Sequence, residues 1–175
     1  MKYILKIFRG TCEKQYFEEF ELEYKDNNNI ISALMEIQKN PVNIKKQKVL
    51  PVSFEASCLE EACGACSMLI DGYPRQACSA LIKPLLKNKN YIVLAPLSKF
   101  HLIKDLVIDR KKMFEQLKNF KIWIEKDFSN IGIKINPAIA DALYILSRCM
   151  VCGCCMESCP NYNIKNSFIF WNFFI

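Results

Sequence analysis

Glycine is scarce in this 175-residue chain, histidine is nearly absent, and no apolar run is long; each shortage excludes a class of function. The five glycines are Gly10, Gly64, Gly72, Gly132 and Gly153, and no two lie close enough for a dinucleotide fingerprint or a phosphate-cradling loop. Binding of FAD, NAD or ATP by this chain alone is therefore not expected. A single histidine, His101, leaves no His-rich zinc site, no His pair for a Rieske centre and little scope for imidazole acid/base chemistry. The apolar stretches fall far short of the roughly 20 residues that span a bilayer. At the N-terminus, Lys6 and Arg9 interrupt the segment where a signal peptide needs an unbroken apolar core, and no Arg/Ser-rich transit signal is visible.

What is abundant is cysteine. Ten cysteines without a secretion signal point away from a disulfide framework, because the cytosol keeps thiols reduced, and toward metal binding. The net charge of +6 comes from lysines spread over the chain without aromatic interleaving, which reads as a solvated surface and not as a nucleic-acid patch.

The chain changes period near residue 100. Before it, residues 2–9 and 16–24 read as strands of a hairpin around Gly10, the second alternating Phe20, Leu22 and Tyr24 with glutamates. Asn29 is placed to cap a helix in which Ile30, Ala33, Leu34 and Ile37 share one face, with Pro41 just beyond its end. Further strands are expected at Val52–Phe54, Ser67–Ile70 and Tyr91–Leu94, with Asp71-Gly72 a turn after Ile70. Together these predict a small mixed sheet crossed by one helix. Beyond Pro96, Leu106, Met113, Leu117 and Ile124 predict a long helix, and Ile139, Leu143 and Leu146 a second one running into the last cysteines. The expected domains are 1–100 and 101–175.

Cys58, Cys63 and Cys66 have the C-x4-C-x2-C spacing of a plant-type 2Fe-2S loop, and Cys78 follows after a strand and turn as the fourth thiolate. Gly64 and Ala65 suit a loop that turns sharply around a cluster. A four-thiolate zinc site is the alternative, but it pairs two C-x2-C arms and the longer arm here has the wrong shape. Glu60 and Glu61 read as solvated or partner-facing. In RCMVCGCCMESCP, Cys149, Cys152, Cys155, Cys159 and Pro160 match C-x2-C-x2-C-x3-C-P, where three cysteines hold one cubane and the fourth reaches another cluster. Cys12 and Cys154 fall outside both patterns and read as structural or incidental thiols.

The order of these motifs, joined by PLSKFHLIKDLVIDRKKMFE, resembles the iron-sulfur subunit of succinate dehydrogenase and fumarate reductase from the first hairpin to about Asn163. The resemblance implies an α+β fold, a β-grasp ferredoxin-like 2Fe-2S domain followed by a partial α-helical ferredoxin domain. It also implies a relay: single electrons pass from a separate FAD-containing flavoprotein through 2Fe-2S, 4Fe-4S and 3Fe-4S clusters to quinone at a membrane anchor that also carries haem. By similarity, Cys58, Cys63, Cys66 and Cys78 would hold 2Fe-2S, Cys149, Cys152 and Cys155 would hold 4Fe-4S, and Cys159 would hold 3Fe-4S. The expected place is the cytoplasmic face of a bacterial inner membrane, through partners. Asp105, Asp109 and Arg110 match the family's joining segment and read as interface or capping residues, while His101 or Leu102 stands where the family has proline. No catalytic residue is expected on this chain. The family supplies one further cysteine to 4Fe-4S and two to 3Fe-4S from later sequence, and none follows Cys159 here. The expectation is a truncated or split subunit, with a separate chain carrying the missing cysteines. The alternatives are a partner of another flavin oxidoreductase or a non-functional remnant.

Overall fold

The computed structural model describes residues 1–119 and 136–162. β1 (Lys2–Gly10) and β2 (Gln15–Glu23) form the predicted antiparallel hairpin. β1 alternates strictly, burying Tyr3, Leu5 and Ile7 on one face. α1 (Ile30–Lys39) begins where its cap predicts: the Asn29 side chain accepts a hydrogen bond from the Ser32 amide at 2.9 Å, and Ile30, Ala33, Leu34 and Ile37 are buried against the sheet. β3 (Ser67–Ile70) and β4 (Tyr73–Gln76) form a hairpin about Asp71-Gly72, both residues with positive φ, as a tight two-residue turn requires. A short helix, α2 (Ile82–Leu85), leads to β5 (Tyr91–Ala95). The sheet order is β2-β1-β5-β3-β4, with β1 and β5 parallel and the other neighbours antiparallel. It is the mixed sheet crossed by one helix that the pattern predicts.

Asn29 has a second task, donating from Nδ2 to the Cys78 carbonyl at 2.8 Å, which ties the helix start to the segment carrying the fourth cysteine. Asn29→Ala is expected to lower stability by about 1–2 kcal/mol, the usual size of a lost cap, read as a shift in the urea midpoint.

Three elements differ from expectation. Val52–Phe54 is not a strand: Val52 is buried in the main core, but the Ser53 backbone bonds to Asp105 and Leu106 instead of to a sheet edge. β4 contains Pro74, which lacks an amide for the ladder and is tolerated because β4 is an edge strand. The long helix after Pro96 is also interrupted. β6 (His101–Lys104) and β7 (Val107–Asp109) form a hairpin, Leu106 lies buried at its tip, and α3 (Lys111–Asn119) starts only after Asp109 accepts a hydrogen bond from the Lys111 amide. The seven-residue spacing of Leu106 and Met113 therefore joins two elements. Ile124 lies outside the described residues. α4 (Pro137–Ser147) is the second predicted helix, and α5 (Cys154–Ser158) follows within the last cysteine motif.

The β6–β7 tip docks through a buried polar cluster. Asp105 Oδ1 accepts from Gly10 N at 2.8 Å and Oδ2 from Ser53 N at 2.9 Å, and the Arg9 guanidinium lies 3.4 Å from Asp105 and 3.3 Å from Glu18 while donating to the Leu50 carbonyl. Arg9 and Asp105 are almost fully buried. A second core of Leu97, Phe100, Ile108, Met113 and Met156 carries α5 on this hairpin.

Candidate iron-sulfur sites

Cys58 and Cys63 lie on the loop before β3, Cys66 directly precedes that strand, and Cys78 follows β4. Cys66 and Cys78 are buried, whereas Cys58 and Cys63 are half-buried. Cys58 interacts with Cys63, and Cys66 with Cys78, so the four thiols fall into two pairs. Among the described residues no three Cys, His, Asp or Glu side chains converge as a single metal ion would require.

The loop is built to face sulfur with amides. Leu59 and Glu61 both have φ near +60°, a conformation that costs a non-glycine residue energy. These turns aim Glu60 N and Ala62 N at Cys58 Sγ, at 3.4 and 3.3 Å, and Ala65 N lies 3.5 Å from Cys63 Sγ. The two amides stabilise the Cys58 thiolate and lower its pKa to about 7, while burial pushes Cys66 up to about 11. Glu61 accepts a hydrogen bond from Ser79 Oγ at 2.9 Å, beside Cys78. Four thiols in two pairs, with N–H donors aimed at two of them, fit a 2Fe-2S group. Each iron of such a cluster takes two thiolates, and hydrogen bonds to sulfur stabilise the charge they carry.

In the second motif, Cys149 and Cys155 are exposed and Cys152 and Cys159 half-buried. The Cys155 pKa is raised, first by partial desolvation of its sulfur and then by the neighbouring Cys152 and Cys149 thiols. Cys159 stands beyond the end of α5 in an extended conformation, as a residue before proline prefers, with its carbonyl held by the Lys99 ammonium. Cys154 is in contact with Cys152, and its hydrogen bond stabilises the Cys152 thiolate, whose pKa falls to about 6, while the Cys154 thiol is raised. Cys12 is exposed on the β1–β2 loop, away from both motifs.

The two motifs touch. Gly64 sits at φ +71°, and a Cβ there would lie 2.7 Å from the Met150 carbonyl oxygen and 2.8 Å from Cys152 Cβ. Ser67 shares its single O–H between the carbonyls of Gly64, at 2.7 Å, and Cys152, at 2.6 Å. It accepts from Arg110 Nη2 at 3.0 Å, and the same nitrogen reaches the Ala65 carbonyl at 3.1 Å. Arg110 Nη1 pairs with Glu55. Arg110 was legible as a motif residue but not its role, which is to pin the first cysteine loop. Ser67 and Gln76 carried no sequence signal, because their partners lie up to 85 residues away.

A five-stranded mixed sheet crossed by a helix, with a C-x4-C-x2-C loop entering one strand and a fourth cysteine after the next, defines a ferredoxin-type iron-sulfur domain. The family model described as a 2Fe-2S iron-sulfur cluster binding domain matches residues 4–115, and the chain belongs to that family. More particularly, it is similar to the iron-sulfur subunits of succinate dehydrogenase and fumarate reductase. It is 48% identical over 157 residues to the succinate dehydrogenase iron-sulfur subunit of Bacillus subtilis (strain 168), covering 88% of this chain and 61% of that protein. To the fumarate reductase iron-sulfur subunit of Wolinella succinogenes it is 31% identical over 167 residues, covering 92% and 66%. A chain of the Mycobacterium smegmatis Sdh1 complex in the apo form has the same fold, with a TM-score of 0.69 at 19% identity over 90% of this chain and 63% of that one. The chain thus spans less than two thirds of the length of these relatives.

Proposed function

We propose that this chain is an electron-transfer subunit of a succinate dehydrogenase or fumarate reductase, relaying single electrons between a FAD-containing flavoprotein and quinone at a membrane anchor. The observation that carries this reading is the contact of the two cysteine motifs at Gly64 and Cys152, with no side-chain layer between their backbones. Cys58, Cys63, Cys66 and Cys78 are the proposed ligands of 2Fe-2S. Cys149, Cys152 and Cys155 would hold 4Fe-4S together with one further ligand, and Cys159 would contribute to 3Fe-4S. When bound, such clusters supply one-electron exchange without a substrate of their own.

The chain's residues hold and screen these groups. Leu59 and Glu61 set the turns that present amides to Cys58, Arg110 fixes the Ala65 carbonyl, and Ser67 ties the first loop to the second. Organic chemistry on a dicarboxylate would belong to the flavoprotein. No helix among the described residues is long and apolar enough to cross a membrane, so attachment to a membrane, on its cytoplasmic face, would run through the anchor partner.

The test combines the reconstituted chain with a succinate-oxidising flavoprotein subunit under anaerobic conditions. Addition of succinate is expected to produce the EPR signal of a reduced 2Fe-2S cluster, and Cys78→Ser is expected to abolish it. A cluster that dithionite reduces but succinate with the flavoprotein does not would overturn the proposed partner.

A further inference from the structure

A cation is held at the junction of the two cysteine motifs. Arg110 follows β7 and lines a cavity with Cys63, Gly64 and Ala65 of the first motif and Met150 and Val151 of the second. Its side chain is only 12% exposed, and its guanidinium faces the first loop: Nη2 donates to the Ala65 carbonyl at 3.1 Å and to Ser67 Oγ at 3.0 Å. The Ala65 amide in turn lies 3.5 Å from Cys63 Sγ, so the residue that holds the guanidinium also touches a thiol. Ser67 passes the contact on to the Cys152 carbonyl, and the cation is thereby held from both motifs.

The acceptors on the loop side are neutral. The ion-pair partner of Arg110 is Glu55 at Nη1, whose side chain is 44% exposed, and Arg110 Nε is buried with no hydrogen-bond partner among the described residues. The pair is thus a dipole with its negative end toward water and its positive end on the cysteine loop. Water screens the exposed end more than the buried one, which leaves a positive field on the thiol side. Of the other charged groups lining the cavity, Asp109 accepts from the Lys111 amide, and the Lys111 ammonium is exposed and paired with Glu115. Gln76 also spans the junction, accepting from Cys66 Sγ at 3.7 Å and donating to Cys154 Sγ at 3.6 Å, but it carries no charge.

We propose that Arg110 is an electrostatic positioning residue for the first cysteine set, its buried charge raising the redox potential of the group that Cys58, Cys63, Cys66 and Cys78 hold. This rests on the reading of those residues as 2Fe-2S ligands. Reduction adds one negative charge to such a cluster, so a fixed cation beside its loop favours the reduced state. No titration is involved, because a guanidinium in a protein stays charged.

The test is a redox titration of the full reconstituted chain, following 2Fe-2S absorbance and EPR, with iron and sulfide content measured on each sample. Arg110→Met, which removes the charge and keeps most of the volume, is expected to raise the oxidised-to-reduced ratio at a fixed potential about three- to tenfold, a downward shift of about 30–60 mV at 59 mV per decade for a one-electron couple. Arg110→Lys keeps the charge but not the fork, and is expected to recover more than half of that shift. Glu55→Gln, which leaves the cation without its counter-charge, is expected to move the potential the opposite way, by less, since Glu55 is the more exposed partner. Unchanged potential in Arg110→Met at unchanged iron content would overturn the assignment. So would an equal shift in Arg110→Lys and Arg110→Met, a potential unchanged or lowered in Glu55→Gln, or loss of iron from both Arg110 variants, which would make the residue structural. Failure of the unsubstituted chain to assemble a 2Fe-2S cluster would overturn the ligand reading itself, and the role of Arg110 with it.

Discussion

Replacing Asp105 by Ala is expected to cost about 3–5 kcal/mol of unfolding free energy, the range for breaking a buried ion pair by removing one partner. Its carboxylate is the acceptor for two buried backbone amides, Gly10 N and Ser53 N, and the closest counter-charge on one side of the Arg9 guanidinium. Removal leaves both amides unsatisfied and Arg9 with Glu18 and the Leu50 carbonyl alone. The loss is also positional. Asp105 N donates to the Gly10 carbonyl and Leu106 N to the Ser53 carbonyl, so the same tip holds β6 and β7 to the end of β1. The second core, which seats α5 and the last cysteine motif, is built on that hairpin. Urea unfolding should therefore show a lowered midpoint in Asp105→Ala, a smaller drop in Asp105→Asn, which keeps one acceptor oxygen, and little change in Lys2→Ala, whose pair with Glu21 is exposed. A cost below about 1 kcal/mol for Asp105→Ala, the level of an exposed ion pair, would show that the tip is not a buried electrostatic anchor.

Gly64→Ala carries the second large effect, and here the consequence falls on the junction between motifs. The residue sits in the left-handed region, where an L side chain costs about 1–2 kcal/mol. The added Cβ would also meet backbone, the Met150 carbonyl oxygen at 2.7 Å and Cys152 Cα at 2.9 Å, and neither can move aside like the end of a long side chain. The two loops must separate, which stretches the Ser67 bond to the Cys152 carbonyl. Limited proteolysis should cut Gly64→Ala within residues 148–162 faster than the native chain, while the first domain, tied by α1 and the sheet, loses no more unfolding free energy than the roughly 1–2 kcal/mol of left-handed strain. Equal cleavage rates would mean that the motifs are not held together at Gly64.

Local features were legible and distant ones were not. The cap at Asn29 and the apolar face of Ile30, Ala33, Leu34 and Ile37 lie within one helix, so their spacing alone places α1. The C-x4-C-x2-C loop and the Asp71-Gly72 turn are equally local, and the turn predicts the β3–β4 hairpin even though Pro74 disguises β4. Leu106 and Met113 misled because both are buried but in different cores, Leu106 of the hairpin tip in the main one and Met113 of α3 in the second. Asp105 could be singled out by its family motif, yet its partners Gly10 and Ser53 are 95 and 52 residues away. Only the folded chain brings them together. The same is true of Ser67 and Gln76, whose meaning depends on where the second motif docks.

Cys58, Cys63, Cys66 and Cys78 are proposed to hold a 2Fe-2S cluster together. This is tested most directly by anaerobic reconstitution with iron and sulfide, counting both per chain, with visible absorbance and reduced-state EPR recorded for the native chain and for single serine variants of the ten cysteines. A reduced 2Fe-2S EPR signal that survives Cys12→Ser, Cys154→Ser and the Cys149, Cys152, Cys155 and Cys159 variants, and is lost or altered in each of the other four, is the predicted result. A signal indifferent to Cys66→Ser and Cys78→Ser, or a chain that takes up zinc stoichiometrically and assembles no cluster, would contradict it.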